Sequence, residues 1–236
     1  MALSAAAQWL NTVFAGFDLN ITIAIHSLYD IAGGFFTPFF EFVSFLAKGG
    51  IPLIILSLVL IYFPKSRKYG TAMLISVALG ALITNCCLKI WIARPRPYLD
   101  TGSVYYQFWQ LVGMNTESDK CFPSGHTTAA FATMTALFLK GDKRYSWTAY
   151  IFGILMGIAR IYLCVHYATD VLGGVIVGLI AGNVGTLVIC SYVPAAWYEL
   201  DFNSLIARKP AYQPKHTLVL NEKEDEEASE LDTDAD

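Results

Sequence analysis

Long apolar runs alternate with short polar segments over most of the chain. An apolar run of about 18 or more residues is long enough to cross the hydrocarbon core of a bilayer as a helix. Five ranges are apolar and almost free of charge, and we predict one span for each: residues 51–63, 71–93, 126–139, 147–159 and 171–193. The first range is short but continues backwards into the aromatic stretch 35–47. The pattern predicts an all-α protein, a polytopic membrane helix bundle with five spans.

The N-terminal region does not fit this pattern. Residues 20–29 and 35–46 are each amphipathic, and Gly33 and Gly34 separate them. Amphipathic helices of this kind can lie in the membrane interface. We therefore expect N-terminal interfacial or re-entrant helices over residues 1–48, with a sixth span as the alternative. The transmembrane core is then expected over residues 49–193.

The composition agrees with a membrane protein. Of the 236 residues, 55% are hydrophobic and 15% are charged. These values argue against a secreted disulfide scaffold, a disordered chain and a nucleic-acid partner. The net charge of −3 hides an asymmetry, because residues 222–236 hold nine of the 19 acidic residues. We predict a cytoplasmic, acidic and disordered tail over residues 194–236.

Basic loops indicate the orientation of the bundle. Short loops rich in Lys and Arg stay on the cytoplasmic side of a membrane. Two such loops, at residues 65–68 and 140–144, are separated by two predicted spans, so both are placed inside. The loop 94–123 and the turn 164–170 then lie together on the outer face of the cell membrane. The tail returns to the cytoplasm.

Three polar clusters lie at the outer ends of predicted helices: residues 89–97, 123–126 and 160–170. Ionisable groups at span ends are costly to bury unless they are paired, so they indicate a functional site. Lys89 and Arg96 are seven residues apart and are expected along one helix face, although Pro95 and Pro97 end that helix near Arg94. Arg94 itself is expected to face lipid headgroups or the outer loop.

The other two clusters predict an anion site and a paired histidine. Ser124 can cap a helix that begins near His126, and Gly125 lets the backbone approach a ligand closely. His166 and Asp170 are four residues apart, so on a helix or tight turn the carboxylate can accept from one imidazole nitrogen and fix the tautomer. This arrangement suits a nucleophile or base with its orienting partner.

Together these residues suit a dianionic tetrahedral oxyanion. Lys89, Arg96 and Arg160 can bind its oxygens beside the helix start and the two histidines. A single carboxylate among three cations argues against a zinc or magnesium ion. The five cysteines show no metal-ligand spacing and are assigned no chemistry. The residues predict a phosphoryl-transfer site that needs no metal or other cofactor.

The three clusters, in this order and spacing, resemble the tripartite signature of a known superfamily. The patterns are Lys-x6-Arg-Pro at 89–97, Pro-Ser-Gly-His at 123–126 and Arg-x5-His-x3-Asp at 160–170. They are similar to those of the type 2 phosphatidic-acid phosphatase and vanadium haloperoxidase superfamily. The resemblance covers roughly residues 49–192. Ala159 is a departure, since the family often has Ser before the third-cluster Arg.

The resemblance implies a role for each residue. His166 would attack phosphorus and form a phosphohistidine, Asp170 would hold its ring, and His126 would serve as general acid and then as general base. The remaining residues would hold the phosphoryl oxygens: Lys89, Arg96, Ser124, Gly125 and Arg160.

The resemblance also implies a substrate in the membrane. The short architecture favours undecaprenyl diphosphate, with phosphatidic acid or phosphatidylglycerophosphate as alternatives. Two non-enzymatic alternatives are an anion transporter and a structural membrane protein that uses Gly174, Gly178 and Gly182 as a helix dimer face. Membrane lipids are the expected surroundings. The oligomeric state stays open.

Overall fold

All regular structure in the described part of the chain is helical. The computed structural model describes residues 3–200 and residue 202. The helices are α1 Ala5–Val13, α2 Ala15–Ala32, α3 Thr37–Phe45, α4 Ile51–Tyr62, α5 Arg67–Ala81, α6 Lys89–Ile92, α7 Val104–Leu111, α8 Gly125–Lys140, α9 Lys143–Ser146, α10 Ala149–Tyr162, α11 Ala168–Tyr192 and α12 Ala195–Glu199. The predicted all-α class is confirmed. Of the predicted disordered tail 194–236, the structure describes residues 194–200 and 202, and these include the short helix α12; the other tail residues lie outside the described part of the chain.

Within the described residues, three stretches are long and apolar enough to cross a bilayer: Thr37–Tyr62, Arg67–Leu99 and Ala168–Ile189. Each overlaps one of the predicted spans. Helices α8 and α10 occupy two more predicted ranges, but they have only 16 and 14 residues. A straight span needs about 20 residues. The count of five spans therefore stays a prediction.

The N-terminal helices pack on the rest of the bundle. Helix α2 lies against α10 and α11, and α3 lies against α10. The amphipathic segments expected at 20–29 and 35–46 fall within α2 and along α3. Gly33 ends α2 with a φ of 57°, in the left-handed region that glycine adopts without strain. The polar side chains of α2 are not all at its surface, because Asp18 and His26 are buried.

Helix α8 is the centre of the bundle. Its residues from His126 to Ala136 are all buried, and α5, α10 and α11 pack around it. Gly174, Gly178 and Gly182 form a glycine stripe along α11, and this stripe packs closely against α8. A Cβ atom at Gly178 would lie 2.6 Å from Phe131 Cβ, and one at Gly182 would lie 2.4 Å from Thr135 Cβ. The stripe therefore serves packing within the chain, because no second helix can approach where α8 already lies.

The chain turns sharply after α6, earlier than the sequence predicted. A π-helical segment, Leu82–Leu88, widens the helix just before Lys89. Helix α6 then ends at Ile92, and Ala93 is left-handed with a φ of 51°. The prediction that Lys89 and Arg96 share a helix face is therefore wrong. The two cations converge because the backbone doubles back at Ala93.

Candidate active site

The three sequence clusters meet at one end of the bundle. The Arg96 guanidinium, from the first cluster, donates to the main-chain oxygen of Val165 in the third cluster at 2.7 Å. The main-chain N–H of Ser124, from the second cluster, donates to the main-chain oxygen of Asp170 at 3.0 Å. Each bond joins two clusters that are far apart in sequence. The ends of α6, α8, α10 and α11 are thereby held together.

His166 presents one nitrogen to the cations. It lies in the turn between α10 and α11, and its Nε2 is 2.8 Å from Arg96 Nη1. Arginine can only donate, so Nε2 accepts and carries the lone pair, and Nδ1 carries the proton of the neutral ring. Burial, reinforced by the charges of Arg96 and Arg160, lowers the pKa of His166 well below its ordinary value. The ring is therefore neutral, and its Nε2 lone pair is directed at Arg96 and accepts a hydrogen bond from it.

Asp170 and His166 are close but are not hydrogen-bonded to each other. The distance from Asp170 Oδ2 to His166 Nδ1 is 3.6 Å, beyond a normal hydrogen bond. The same Oδ2 accepts from the Cys121 thiol at 2.7 Å, and Cys121 Sγ lies 3.4 Å from His166 Nδ1. Burial, and next to it the charge of Asp170, raise the pKa of Cys121, so the thiol keeps its proton and donates. The sequence predicts no chemistry for the cysteines, but Cys121 contacts both Asp170 and His166.

The start of α8 brings the second cluster to the site. Ser124 is the N-cap residue, as predicted, and its Oγ accepts from the Thr127 N–H at 3.4 Å. Gly125 follows, and a Cβ there would lie 3.5 Å from Lys89 Nζ. The free N–H groups and positive dipole end of α8 therefore lie beside a buried cation.

His126 lies between two cavities. One, of about 170 Å³, is also lined by Arg96 and by apolar residues of α4 and α5 such as Ile54 and Val77. The other, of about 140 Å³, is also lined by Arg160. A buried imidazole at this junction can exchange protons with a group held by either arginine.

All three signature cations are paired with carboxylates of the segment between α7 and α8. Asp119 pairs with both Lys89 and Arg96, and Glu117 pairs with Arg160. Burial by itself would raise the pKa of Asp119, but the hydrogen bonds and charges of Lys89 and Arg96 outweigh it and lower the pKa. Neither acid has a role that the sequence predicts, because no local spacing links this segment to the three clusters.

Arg160 also retains an unused donor. Its Nη1 donates to Ser44 Oγ of α3 at 2.5 Å. Its Nε is buried, and among the described residues no acceptor contacts it. A buried N–H without an acceptor costs free energy unless a ligand satisfies it. A bound anion would satisfy this donor.

Arg94 is a buried structural centre of the site, so the expectation that it faces lipid or the outer loop is wrong. Its side chain is 1% exposed. One Nη donates to Asp170 Oδ1 at 2.7 Å and the other to Asp18 Oδ2 of α2 at 2.8 Å. Asp18 also accepts from the Thr169 N–H at 2.7 Å. The N-terminal helix α2 is thereby tied to the start of α11 through a doubly paired arginine.

Within the described residues, one group of side chains has ligand atoms close enough together for a metal ion. It consists of Cys121, His166 and Asp170, whose ligand atoms all lie within 4.8 Å of one another. Each of these atoms already has a protein partner. Asp170 accepts from Arg94, from the thiol and from the Tyr167 N–H at 2.9 Å. The short distances follow from this hydrogen-bond network.

Comparison with known proteins finds a matching family model and several relatives. The family model of the PAP2 superfamily matches residues 68–192. Undecaprenyl-diphosphatase BcrC of Bacillus subtilis (strain 168) is 31% identical over 141 residues, which cover 60% of this chain and 68% of the relative. Phosphatidylglycerophosphatase B of the same strain is 35% identical over 140 residues, which cover 55% of this chain and 63% of the relative.

The fold is also similar to a solved structure. This is the crystal structure of the first transmembrane PAP2 type phosphatidylglycerolphosphate phosphatase from Bacillus subtilis. The TM-score is 0.59 at 25% sequence identity, over 80% of this chain and 92% of that chain. The helical architecture described above is therefore that of a known membrane phosphatase.

The pairing of Arg94 leads to a stability prediction. Arg94→Gln leaves Asp18 and Asp170 buried without their cation, and breaking a buried ion pair costs about 3–5 kcal/mol. We expect a clear fall in the temperature of unfolding in detergent. In the double variant Arg94→Gln/Asp18→Asn, part of that loss should be recovered, because one unpaired charge is gone. Arg144→Gln, at an exposed position of α9, is the control and should unfold as the wild type does. Strictly additive losses in the double variant would contradict the pairing.

Proposed function

Because the chain belongs to the PAP2 superfamily, we propose that it is a metal-independent membrane lipid phosphatase with His166 as its nucleophile. The observation that carries the proposal is the orientation of the His166 ring. Its Nε2 lone pair faces Arg96 at 2.8 Å, while Nδ1 faces Cys121 and Asp170. A buried neutral imidazole whose lone pair faces a group of cations is placed to attack an anion that those cations hold.

In the first step the substrate is bound and cleaved. Lys89, Arg96 and Arg160 bind the nonbridging oxygens of the phosphoryl group, together with the N–H groups at the start of α8. His166 Nε2 attacks phosphorus in line, and an N–P bond forms as the P–O bond to the leaving group breaks. The electron pair of that bond goes to the leaving oxygen, and His126 gives it a proton.

In the second step water completes the reaction. His126, now neutral, takes a proton from water, and the water oxygen attacks the phosphorus of the phosphohistidine. The N–P bond breaks, and its electron pair returns to Nε2 of His166. The products are inorganic phosphate and the lipid with one phosphate fewer, which for a lipid diphosphate is the lipid monophosphate. Side-chain cations carry the charge stabilisation that Mg²⁺ supplies in many phosphotransferases, so the scheme needs no metal.

The proposed substrate is a polyprenyl diphosphate such as undecaprenyl diphosphate. One relative is named for that substrate and another for phosphatidylglycerophosphate, which with phosphatidic acid is the alternative. The cavity beside His126 has a polar side at Arg96 and an apolar side at Ile54, Val77 and Ala81. A site of this kind can hold a phosphate and the first carbons of a lipid chain.

Both non-enzymatic alternatives are less well supported. An anion transporter needs polar residues across the membrane, but four of the five buried cations of the described residues, Lys89, Arg94, Arg96 and Arg160, lie at one end of the bundle. The fifth, Arg67, donates to the main-chain oxygen of Ile61. The glycine stripe that a structural protein would use for dimerisation is covered by α8.

The proposed orientation places the site outside the cell and the loops 65–68 and 140–144 in the cytoplasm. Within the first loop Arg67 is buried and donates to the main-chain oxygen of Ile61 at 2.8 Å. The exposed basic residues of the two loops, such as Lys65, Lys68 and Lys143, therefore support this orientation.

Phosphate release from a panel of lipids tests the activity. The purified protein should release inorganic phosphate faster from a polyprenyl diphosphate than from phosphatidic acid or phosphatidylglycerophosphate. Excess EDTA should not lower the rate, because side chains provide the cations. His166→Ala is the inactive control. Absence of release from every lipid would refute the activity, and a rate that EDTA abolishes and Mg²⁺ restores would refute the metal-free scheme.

Trapping of the phosphoenzyme tests the two histidines separately. With ³²P-labelled nitrophenyl phosphate, whose leaving group departs without a proton, His126→Ala should accumulate acid-labile label because water attack lacks its base. His166→Ala should carry no label. Each histidine should be worth about 10² to 10⁴ in rate with a lipid substrate. Label on His166→Ala, or none on His126→Ala, would mean that the roles are reversed.

Thiol labelling in intact cells tests the orientation. Ser118→Cys and Asp142→Cys, each in a chain without native cysteines, place one thiol on either proposed side of the membrane. An impermeant maleimide should label the first in intact cells and the second only after permeabilisation. The opposite result would place the site in the cytoplasm.

A further inference from the structure

The cations assigned to the phosphoryl group already hold carboxylates. Asp119 bridges Lys89 and Arg96, and Glu117 pairs with Arg160. We propose that Asp119 is a built-in competitor of the phosphoryl group, which leaves Lys89 and Arg96 when substrate binds and on its return expels the phosphate product. The inference rests on the proposed function, because it takes these cations as the phosphoryl site.

The contact that Asp119 makes has the form of a phosphate contact. Its two carboxylate oxygens accept from Arg96 Nη2 and from Lys89 Nζ, and Arg96 Nε donates to its main-chain oxygen at 3.1 Å. A carboxylate presents two anionic oxygens along one edge, as a phosphoryl group does, and pairs with a guanidinium in the same way. Carboxylate and phosphoryl group therefore need the same donors, and only one of them can be bound.

Asp119 is the partner that can move. The side chains of Lys89 and Arg96 are 8% and 4% exposed, whereas that of Asp119 is 48% exposed. Asp119 lies between α7 and α8, in a segment without a regular helix, while Lys89 begins α6. When the pairs break, water can hydrate the carboxylate, but the cations stay buried. Exchange by movement of Asp119 is therefore cheaper than exchange by movement of the cations.

The exchange also leaves no cation unpaired. The three cations together with Asp119 and Glu117 carry one net positive charge. When a dianionic phosphoryl group replaces Asp119 and Glu117 stays with Arg160, this net charge becomes zero. Lys89 and Arg96 have an anionic partner at both stages, so the cost of an unpaired buried charge is avoided.

A competitor of this kind lowers the affinity for every tetrahedral anion by the same factor. Each anion must displace Asp119, and that cost does not depend on which anion follows. Substrate, inorganic phosphate and vanadate should therefore respond in parallel. The benefit is in turnover, because a site with three cations would otherwise retain the phosphate that it produces.

Calorimetric titration of the full-length protein with inorganic phosphate and with vanadate tests the inference. Asp119→Asn should lower both dissociation constants, and the KM for a lipid phosphate, by a common factor of about five to ten. Asp119→Glu keeps a carboxylate and should stay within about twofold of the wild type. Asp100→Asn is the matched control, since this acid of the same outer region accepts from the Gly102 N–H at 3.1 Å, and it should change nothing.

Three results would overturn the inference: unchanged or weaker anion binding in a folded Asp119→Asn protein, equal effects of Asn and Glu at this position, or different factors for phosphate and vanadate. Thermal unfolding checks that the variants are folded, and Asp119→Ser is a second variant with the same expected result as Asp119→Asn. Calorimetry measures anion binding and does not require catalytic turnover. Tighter phosphate binding without phosphate release from any lipid would uphold this inference and refute the proposed function.

Discussion

A positive charge buried in an apolar helix bundle is costly unless it is paired, and this constraint organises one end of the molecule. Four buried cations lie there, and each has a carboxylate partner: Arg94 with Asp18 and Asp170, Lys89 and Arg96 with Asp119, and Arg160 with Glu117. Only around Arg94 are all partners buried, because Asp119 and Glu117 are 48% and 27% exposed. The fully buried pairs around Arg94 belong to the scaffold. The partly exposed pairs of Asp119 and Glu117 lie where a substrate can enter.

Asp170 connects this scaffold to the chemistry. Its carboxylate accepts from Arg94, from Cys121 and from the Tyr167 N–H, and it lies 3.6 Å from His166 Nδ1. Three donors that do not depend on His166 hold the carboxylate in place. The imidazole therefore faces a fixed negative group, and a small movement of the ring is enough to form the hydrogen bond that stabilises its charged form.

The N-terminal helices take part in this arrangement. Asp18 of α2 contacts Arg94, Ser44 of α3 contacts Arg160, and Ser4, just before α1, donates to the main-chain oxygen of Ile92. All three positions lie before residue 68, where the match to the PAP2 superfamily begins. Family membership therefore assigns them no role. Their contacts tie helices outside the matched range 68–192 to the site.

The sequence by itself determined the class of the protein and the three clusters of its site. Long apolar runs predict helices because a bilayer offers the backbone no hydrogen-bond partners, and each cluster is recognisable because its residues are close together in the chain. Tertiary structure alone decided the partners of those residues. The left-handed turn at Ala93 brings Arg96 back to Lys89, and the packing of distant segments brings Asp18, Cys121 and Asp119 to the site. Local spacing carries no signal for such contacts, because residues tens of positions apart meet only when the helices between them have packed.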